Sequence, residues 1–239
     1  MIKSHKRKDI HRCVVGFGTL AVIFTLIPAV YAFQAEPAVT ALFQTAAFSQ
    51  CNSGTTPSRV VTTALHIFSL DASAKKITVW NKTVTGNQLV QFSGIDAQNN
   101  GYVFAAPYGF AKHPTQNIIA VTDKGTAAQR ISLYSYTETA GSVVFTFMGS
   151  CTNSMIVNPS DVAFFSDGSL AVSGNLSSGL NPYLLKLSGS YSSLEVSGGY
   201  LYSGSTGTFD GIDVDQTTDH ILVASASAHC VYEFDSTGS

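Results

Sequence analysis

Apolar and polar residues alternate along most of the chain after residue 56, and short polar turns interrupt the alternation at regular intervals. Alternation with a period of two is typical of strands that bury one face. The runs form four units, spaced about 50 residues apart, with a fixed order of runs in each unit. The first runs are PSRVV (57), PYGFA (107), PSDVA (159) and FDGIDV (209), and the second are LHIFSL (65), NIIAVTD (117), SLAVSG (169) and HILVAS (220). The third are ITVWN (77), ISLYSY (131), YLLKL (183) and CVYEF (230), and the fourth are LVQFSG (89), VVFTFMG (143) and SLEVSGG (193).

A unit of four antiparallel strands repeated at this interval predicts an all-β fold, the β-propeller. A single sheet of this size cannot bury both of its faces, whereas blades arranged around an axis cover one another. In the third unit, the pair Asp167-Gly168 favours a tight hairpin turn. We therefore expect residues 57–239 to form four recognisable four-stranded blades, either as a closed four-bladed ring or as part of a larger propeller.

Two stretches carry a family resemblance, NPSDVAFFSDGSLAVSG and FDGIDVDQTTDHILVASASAHCVYEFDSTG. Together they show a Gly or Asp near the start of the first strand, a turn, an apolar strand and then an aromatic strand that ends in Asp. This pattern resembles the NHL-type propellers and the wider superfamily of WD40- or YVTN-like and SMP-30-like propellers. The resemblance covers residues 57–239 and implies blade architecture without implying one activity. The chain departs from those families because it offers four units where six or more are usual.

The fourth unit lacks its fourth strand, and the segment at residues 33–56 offers a spare one. Residues 39–48 precede the first unit at the place where a fourth strand would fall. We expect this leader strand to complete the last blade and close the ring, with a longer propeller of which this chain is a part as the alternative. Ring closure would place Cys51 near Cys230 and predicts a disulfide between them. A Cys51–Cys151 bridge and three unpaired thiols are the other possibilities.

Residues 1–32 differ in character from the rest of the chain. A basic stretch, MIKSHKRKDIHR, precedes the uncharged stretch CVVGFGTLAVIFTLI, and small residues follow near Ala32. This order predicts a secretory signal peptide cleaved after Ala32. The alternative is a signal anchor, because the uncharged stretch from Cys13 to Phe33 could just span a bilayer. Both interpretations place the propeller outside the cytoplasm, secreted or anchored to a membrane only through an uncleaved N-terminal segment.

The composition narrows the classes of partner. Charged residues make up 12% and hydrophobic residues 45% of the 239 residues, which excludes a disordered chain. Without the export segment, 8 of the 13 basic and 14 of the 15 acidic residues remain, so the exported part is acidic. Since no basic run survives in it, we expect no nucleic-acid partner.

The acidic stretch DGIDVD raises the possibility of a metal site at the propeller axis. In the SMP-30-like propellers that the chain resembles, carboxylates and amides from several blades hold a divalent cation at the axis. The best candidates here are Asp161 and Asp210, for which calcium would be the expected ion. At the positions equivalent to Asp210, however, the other three units hold Ser58, Tyr108 and Ser160. At the positions equivalent to Asp161 they hold Arg59, Gly109 and Gly211, so neither set forms a cage of acids. The simpler interpretation is that Asp210 caps the start of a strand.

Other chemistry is weakly represented. No G-x-S-x-G, C-x-x-C or H-E-x-x-H motif is present, and the histidines are not at ligand spacing. His113 and His220 lie in turns between first and second strands, where we expect solvent exposure. Two sequons, at Asn81 and Asn175, could carry glycans in a secreted eukaryotic protein.

The sequence therefore predicts a secreted or surface-exposed β-propeller that acts as a binding module without a cofactor and takes a protein or glycan partner. The alternative is a divalent-metal-dependent, lactonase-like hydrolase of the SMP-30 type. A propeller hosts many unrelated functions, so the fold does not choose between the two.

Overall fold

A computed structural model describes residues 57–82, 88–125, 129–177, 180–204 and 207–239. The signal or anchor segment 1–32, the leader 33–56 and Cys51 lie outside these residues, and the predictions about them stay predictions. The described part consists of strands, turns and bends, and it holds no helix of the length and apolar character needed to cross a membrane.

Fifteen strands are present in the described part of the chain, grouped in four antiparallel sheets. The first sheet contains β1 (Pro57–Thr62), β2 (His66–Asp71), β3 (Lys76–Asn81) and β4 (Gln88–Phe92). The second contains β5 (Pro107–Lys112), β6 (Ile118–Asp123), β7 (Arg130–Thr139) and β8 (Ser142–Cys151). The third contains β9 (Pro159–Phe164), β10 (Leu170–Ser177), β11 (Leu180–Ser190) and β12 (Ser193–Ser203). The last contains β13 (Gly211–Val214), β14 (Ile221–Ser225) and β15 (Cys230–Phe234).

The sheets are the blades of a β-propeller. Within each sheet the strands follow chain order, and the first strands of successive blades contact one another, β1 with β5, β5 with β9, and β9 with β13. The all-β propeller with four blades is thereby confirmed. Three blades have four strands and the last has three among the described residues, so its predicted completion by residues 39–48 stays a prediction.

The second strands show why the blades must stack. In β6, Ile118 and Ala120 face the core shared with the third blade, whereas Ile119 and Val121 face the core shared with the first. Both faces of the strand are buried, so its sequence is apolar at successive positions instead of alternating. Among the described residues, three such inter-blade cores hold the blades together. The burial of each large apolar side chain in them contributes roughly 1.5–3 kcal/mol.

Aromatic rings dominate the core between the first two blades. The ring of Phe68 meets those of Tyr136 and Phe145 edge-on, with centroids 5.1 and 5.5 Å apart. Phe92 stacks on Phe145 at 4.5 Å. The hydroxyl of the neighbouring Tyr134 donates to the carbonyl of Gly94 at 3.0 Å, so this buried phenol has a hydrogen-bond partner. The ring packing fixes the linker after β4 as well as the two blades.

The tight turn predicted at Asp167-Gly168 is present. Gly168 has a φ of 85°, and its N–H donates to the carbonyl of Phe165 at 3.0 Å. The Asp167 carboxylate accepts the N–H of Ser169 at 2.8 Å. The local sequence therefore sets this hairpin, as expected from its turn chemistry.

Candidate functional site

An arginine joins three blades where their first strands begin. Arg59 of β1 donates through Nε to Oδ2 of Asp161 on β9 at 3.0 Å. Its Nη2 donates to the backbone carbonyl of Asp210, just before β13, at 2.8 Å, and its Nη1 donates to the carbonyl of Ser58 at 2.9 Å. The axial position predicted for Asp161 and Asp210 is thus a polar hub with a cation in it.

The carboxylate of Asp161 is surrounded by N–H groups. Oδ1 accepts from the backbone of Phe110 at 3.3 Å and of Val162 at 3.0 Å, while Oδ2 accepts from Ile212 at 3.3 Å as well as from Arg59. Burial raises the pKa of Asp161, and the guanidinium of Arg59 opposes that rise. The side chain therefore ties the first strands of the second, third and fourth blades to that of the first.

Asp210 contributes only its main chain to this hub. Its carboxylate oxygen Oδ2 accepts the N–H of Ala226 at 2.8 Å and the hydroxyl of Thr208 at 3.0 Å. The side chain thus organises the loop between β14 and β15. This is a structural role, although the side chain acts on a loop between strands, whereas the sequence suggested a cap at the start of a strand.

The donor set of the hub does not fit calcium. A calcium ion takes six to eight oxygen ligands. Both oxygens of Asp161 already accept N–H groups, the guanidinium of Arg59 lies beside them, and the Asp210 carboxylate is directed to another loop. Within the described ranges no three His, Cys, Asp or Glu side chains gather as a metal site. The metal prediction for Asp161 and Asp210 stays a prediction that this arrangement does not support.

A cleft of about 270 Å³ opens beside the hub and runs along the first strands. Arg59 and Asp161 of the hub line it together with residues further along the first strands. The remaining lining residues are Val61, Phe110, Ala111, Lys112, Val162, Ala163, Phe164, Ile212, Asp213 and Gln216. All four blades therefore contribute to one axial cleft.

Beside the hub, a lysine lies over a tyrosine ring. Lys124 Nζ is 3.3 Å from the ring centroid of Tyr108, and the Arg59 guanidinium carbon is 5.7 Å from the same centroid. Burial lowers the pKa of Lys124, Arg59 lowers it further, and the charge of Asp210 opposes both. Tyr108 and Lys124 are each half-buried, so the pair is held by the fold and still meets solvent.

A buried carboxylate fixes the chain next to this pair, namely the linker that leads into β5 and the turn that follows β6. Asp123, at the end of β6, accepts the N–H groups of Ala105 at 2.8 Å, Ala106 at 2.7 Å and Gly125 at 3.0 Å. The Lys124 N–H donates to the carbonyl of Ala106 at 3.1 Å. A Cβ on Gly125 would lie 2.4 Å from the Cβ of Ala105, so the loops meet where only glycine fits.

A second cation–aromatic pair joins the linker before β5 to the first residue of β7. The Arg130 guanidinium carbon is 3.9 Å from the ring centroid of Tyr102, which is 45% exposed, and the adjoining Val103 is 66% exposed. In the backbone register of the sheet, Asp123 of β6 lies opposite Arg130 of β7 on one side and opposite Pro107 of β5 on the other. We call Tyr102, Val103, Tyr108, Lys124 and Arg130 the Tyr–Lys surface. Its residues come from the linker before β5, the turn after β6 and the first residues of β5 and β7, and no short motif in the sequence links them.

The predicted cysteine and sequon residues lie elsewhere. Cys151 is buried, and burial raises the pKa of its thiol, whereas Cys230 is half-buried; no disulfide joins these two described cysteines, and a bridge from Cys230 to Cys51 stays a prediction. Asn81 donates through its amide to the carbonyl of Ala140 at 2.5 Å. Asn175 is buried, and its amide bonds Ser160 Oγ at 3.1 Å and the main chain of Phe209. This buried amide argues against a glycan on Asn175, and both sequons stay predictions.

The histidine turns behave differently from one another. His220 is at the surface, as expected, and its Nδ1 lies 2.8 Å from Oε1 of Glu233. His113 is only 3% exposed, so the expected solvent exposure is wrong for it. Its Nδ1 accepts the N–H groups of Thr115 at 3.2 Å and Gln116 at 3.0 Å, and its ring packs against Phe164. The imidazole is buried because it accepts hydrogen bonds from the backbone of its own turn and packs against Phe164.

No protein-family model matches the chain, and no curated protein matches it either. Among solved structures, the propeller domain of Cps50 (Swd1) from Myceliophteria thermophila superposes with a TM-score of 0.53 at 10% identity, covering 87% of this chain and 57% of that one. A putative 6-phosphogluconolactonase from Bacteroides fragilis gives 0.52 at 12% identity, covering 77% and 52%. A gluconolactonase from Xanthomonas campestris gives 0.49 at 17% identity, covering 73% and 56%.

The first two of these neighbours, whose TM-scores exceed 0.5, show that the chain shares the β-propeller fold. The chain spans just over half the length of the solved structures it matches. Since a propeller domain and a putative lactonase match about equally well at low identity, the likeness does not separate a binding module from an enzyme.

Proposed function

We propose that this propeller is a non-enzymatic, extracytoplasmic binding module that holds a protein or glycan partner at the Tyr–Lys surface. The observation that carries the proposal is the cation held 3.3 Å from the Tyr108 ring, on loops fixed by the buried carboxylate of Asp123. Tyr and Arg are the side chains that most often dominate the energy of binding surfaces. Loops that a rigid scaffold positions are the usual place for recognition.

Charge distribution supports the same conclusion. The exported part has an excess of acidic residues, yet three of its eight basic side chains, Arg59, Lys124 and Arg130, lie at or beside this surface. Since Asp161 compensates the charge of Arg59, Lys124 and Arg130 are the two cations that lie over aromatic rings on this side of an acidic protein.

The alternative, an SMP-30-type hydrolase, would need oxygen ligands open to a cation at the axis. Asp161 instead accepts N–H groups on both oxygens, and Arg59 supplies the positive charge that a metal would bring. The geometry of the hub therefore favours a structural role for these residues and leaves the Tyr–Lys surface as the candidate for recognition.

The test compares three forms of the full-length chain on arrays of peptides and glycans. Lys124→Gln removes the cation over Tyr108, and Lys186→Gln is the matched control, because Lys186 Nζ lies 4.4 Å from the ring centroid of Phe165 on another blade. Wild type and Lys186→Gln should bind a common set of probes that Lys124→Gln binds at least about tenfold more weakly, as expected for a central contact. If no probe separates the two variants, the surface is not the binding site.

A further inference from the structure

We infer that the seam between the last and the first blade is a docking site and that its occupant is the leader of the same chain, residues 33–56. Within the leader, which lies outside the described residues, the stretch 39–48 would add a strand to the outer edge of β15 and cover apolar faces on both sides of the seam. Alternation in the sequence predicted the added strand alone; the two apolar faces come from the structure. The seam does not share residues with the Tyr–Lys surface, so this site does not rest on the proposed function.

The last and the first blade meet near the axis through a polar contact. Among the described residues, apolar cores join the first blade to the second, the second to the third and the third to the last, and none joins the last blade to the first. The two blades are joined instead at the hub, where Arg59 Nη2 donates to the backbone carbonyl of Asp210 at 2.8 Å. The seam between them therefore lacks the apolar filling that the other three junctions have.

Both walls of the seam expose apolar side chains. In β14, Ile221 belongs to the core shared with the third blade, so the next residue, Leu222, faces the seam, where it is 39% exposed. Val231 of β15 lies on the same face of the sheet and is 56% exposed. On the first blade, Val61 packs against the core shared with the second, so Val60 faces the seam and is 52% exposed. Exposed apolar surface is thus concentrated at this junction.

The last blade also lacks a cover for one face and for one edge. The second strand of the second blade, β6, is buried at every position, whereas in β14 buried and exposed positions alternate. In the described part of the last sheet, β15 is the outermost strand, and no described strand pairs with its outer edge. An edge of this kind binds an extended segment through backbone hydrogen bonds. The occupant should therefore be a strand with an apolar face.

The order of elements along the chain selects the leader for this place. The outer strand of the second blade leads into the next blade through residues 152–158, and that of the third through residues 204–210, seven residues in each link; the first blade uses a longer link, residues 93–106. The stretch 39–48 leads into β1 through the eight residues 49–56, and it has ten residues, as β8 has. Around the axis, the blade before the first is the last, so this stretch stands where the outer strand of the last blade would be.

Composition favours the leader over a second copy of the chain as the occupant. Residues 39–48 carry no charged side chain, and they include the large apolar residues Val39, Leu42, Phe43 and Phe48. Burial of these side chains and of the seam walls removes apolar surface from water on both sides of the contact. In a symmetric contact between two copies, the exposed carboxylates of Asp213 and Glu233, which lie on the same face as Leu222, would approach their counterparts. Like charges oppose such a contact.

Hydrogen–deuterium exchange of the full-length chain, measured by mass spectrometry of its peptides, tests the docking. In the wild type, peptides from residues 39–48 and from β15 should both exchange slowly, because paired strands protect each other's N–H groups. Val231→Asp places a charge in the covered seam and should speed exchange of the 39–48 peptides by at least about tenfold. Val144→Asp is the matched control, because Val144 of β8 is a similarly exposed valine on another blade. Peptides from the buried strand β6 should exchange alike in all three forms, which separates loss of docking from loss of the fold.

Each other outcome counts against the docking. Rapid exchange of residues 39–48 in the wild type, or equal exchange of these residues in the two variants, overturns the inference. Slow exchange that is lost on dilution would show that a second copy covers the edge, and it overturns the inference as well. None of these results bears on the Tyr–Lys surface, which the comparison of Lys124→Gln with Lys186→Gln tests separately.

Discussion

Replacing His113 by Asn should remove a pH dependence from the folding stability of this propeller. His113 is buried, and its Nδ1 accepts two backbone N–H groups, from Thr115 and Gln116. A nitrogen that accepts carries no proton, so the ring is neutral with its proton on Nε2. Protonation would put an N–H group on Nδ1, facing the N–H groups of Thr115 and Gln116. Both hydrogen bonds would then be lost, and the turn would have to open.

The direction and size of the effect follow from linkage. Burial lowers the pKa of His113 below its usual 6.5, and nearby Lys112 lowers it further; Tyr191 is the other titratable group that faces the ring. Below about pH 6.5 the unfolded chain binds a proton that the folded chain refuses, so the free energy of unfolding falls as the pH falls. The slope from one such proton approaches about 1.4 kcal/mol per pH unit, down to the folded-state pKa.

Urea unfolding of the full-length chain between pH 5 and 8 measures this slope. Asn at position 113 can still accept from the backbone two residues on, but it does not titrate, so the variant keeps the turn and loses the linkage. Contributions of all other groups cancel in the difference between wild type and variant. His220→Asn, in the corresponding turn of the last blade, is the control. If wild type and His113→Asn lose stability in parallel below pH 6.5, the buried neutral imidazole is not the cause.

Three further predictions concern the inter-blade contacts and the cysteines. Phe68→Ala should lower the free energy of unfolding by about 3–5 kcal/mol, since the ring is fully buried among aromatic rings, whereas the exposed Val60→Ala should change it by less than about 0.5 kcal/mol in the same urea titration. Asn175→Ala should cost about 1–3 kcal/mol, because it leaves the N–H of a buried neighbour without its acceptor; a loss no larger than that of Val60→Ala contradicts this. Peptide mapping without reduction should find Cys51 joined to Cys230, and a free Cys230 thiol in the folded chain would exclude the bridge.

The strand pattern of the sequence anticipated the fold closely. The run HILVAS at residue 220 and the strand β14 at Ile221–Ser225 coincide, and so do the other units, because each run was long enough to bury a face only as a strand. Arg59 and Asp161 stand at equivalent positions in the aligned repeat units, which also indicated that both lie near the axis. Their ion pair could not be predicted in this way, because equivalent positions in a repeat do not show which side chains contact each other.

The residues whose positions were predicted wrongly or not at all are held by contacts between separate segments of the chain. His113 was expected at the surface because turns are usually solvated, but its ring bonds its own turn and packs on Phe164 of the next blade. The Tyr–Lys surface was missed because Asp123 joins a linker to a hairpin, and neither loop carries a recognisable motif by itself.

Periodicity and turn chemistry act between near neighbours, so the amino-acid sequence was enough to predict four blade units, the order of their strands and the Asp167-Gly168 turn. The ion pair of Asp161 with Arg59 and the position of Lys124 over the Tyr108 ring could be known from the folded structure alone. Those contacts join residues from different blades or loops, and their energies depend on distances that exist only after the blades have stacked.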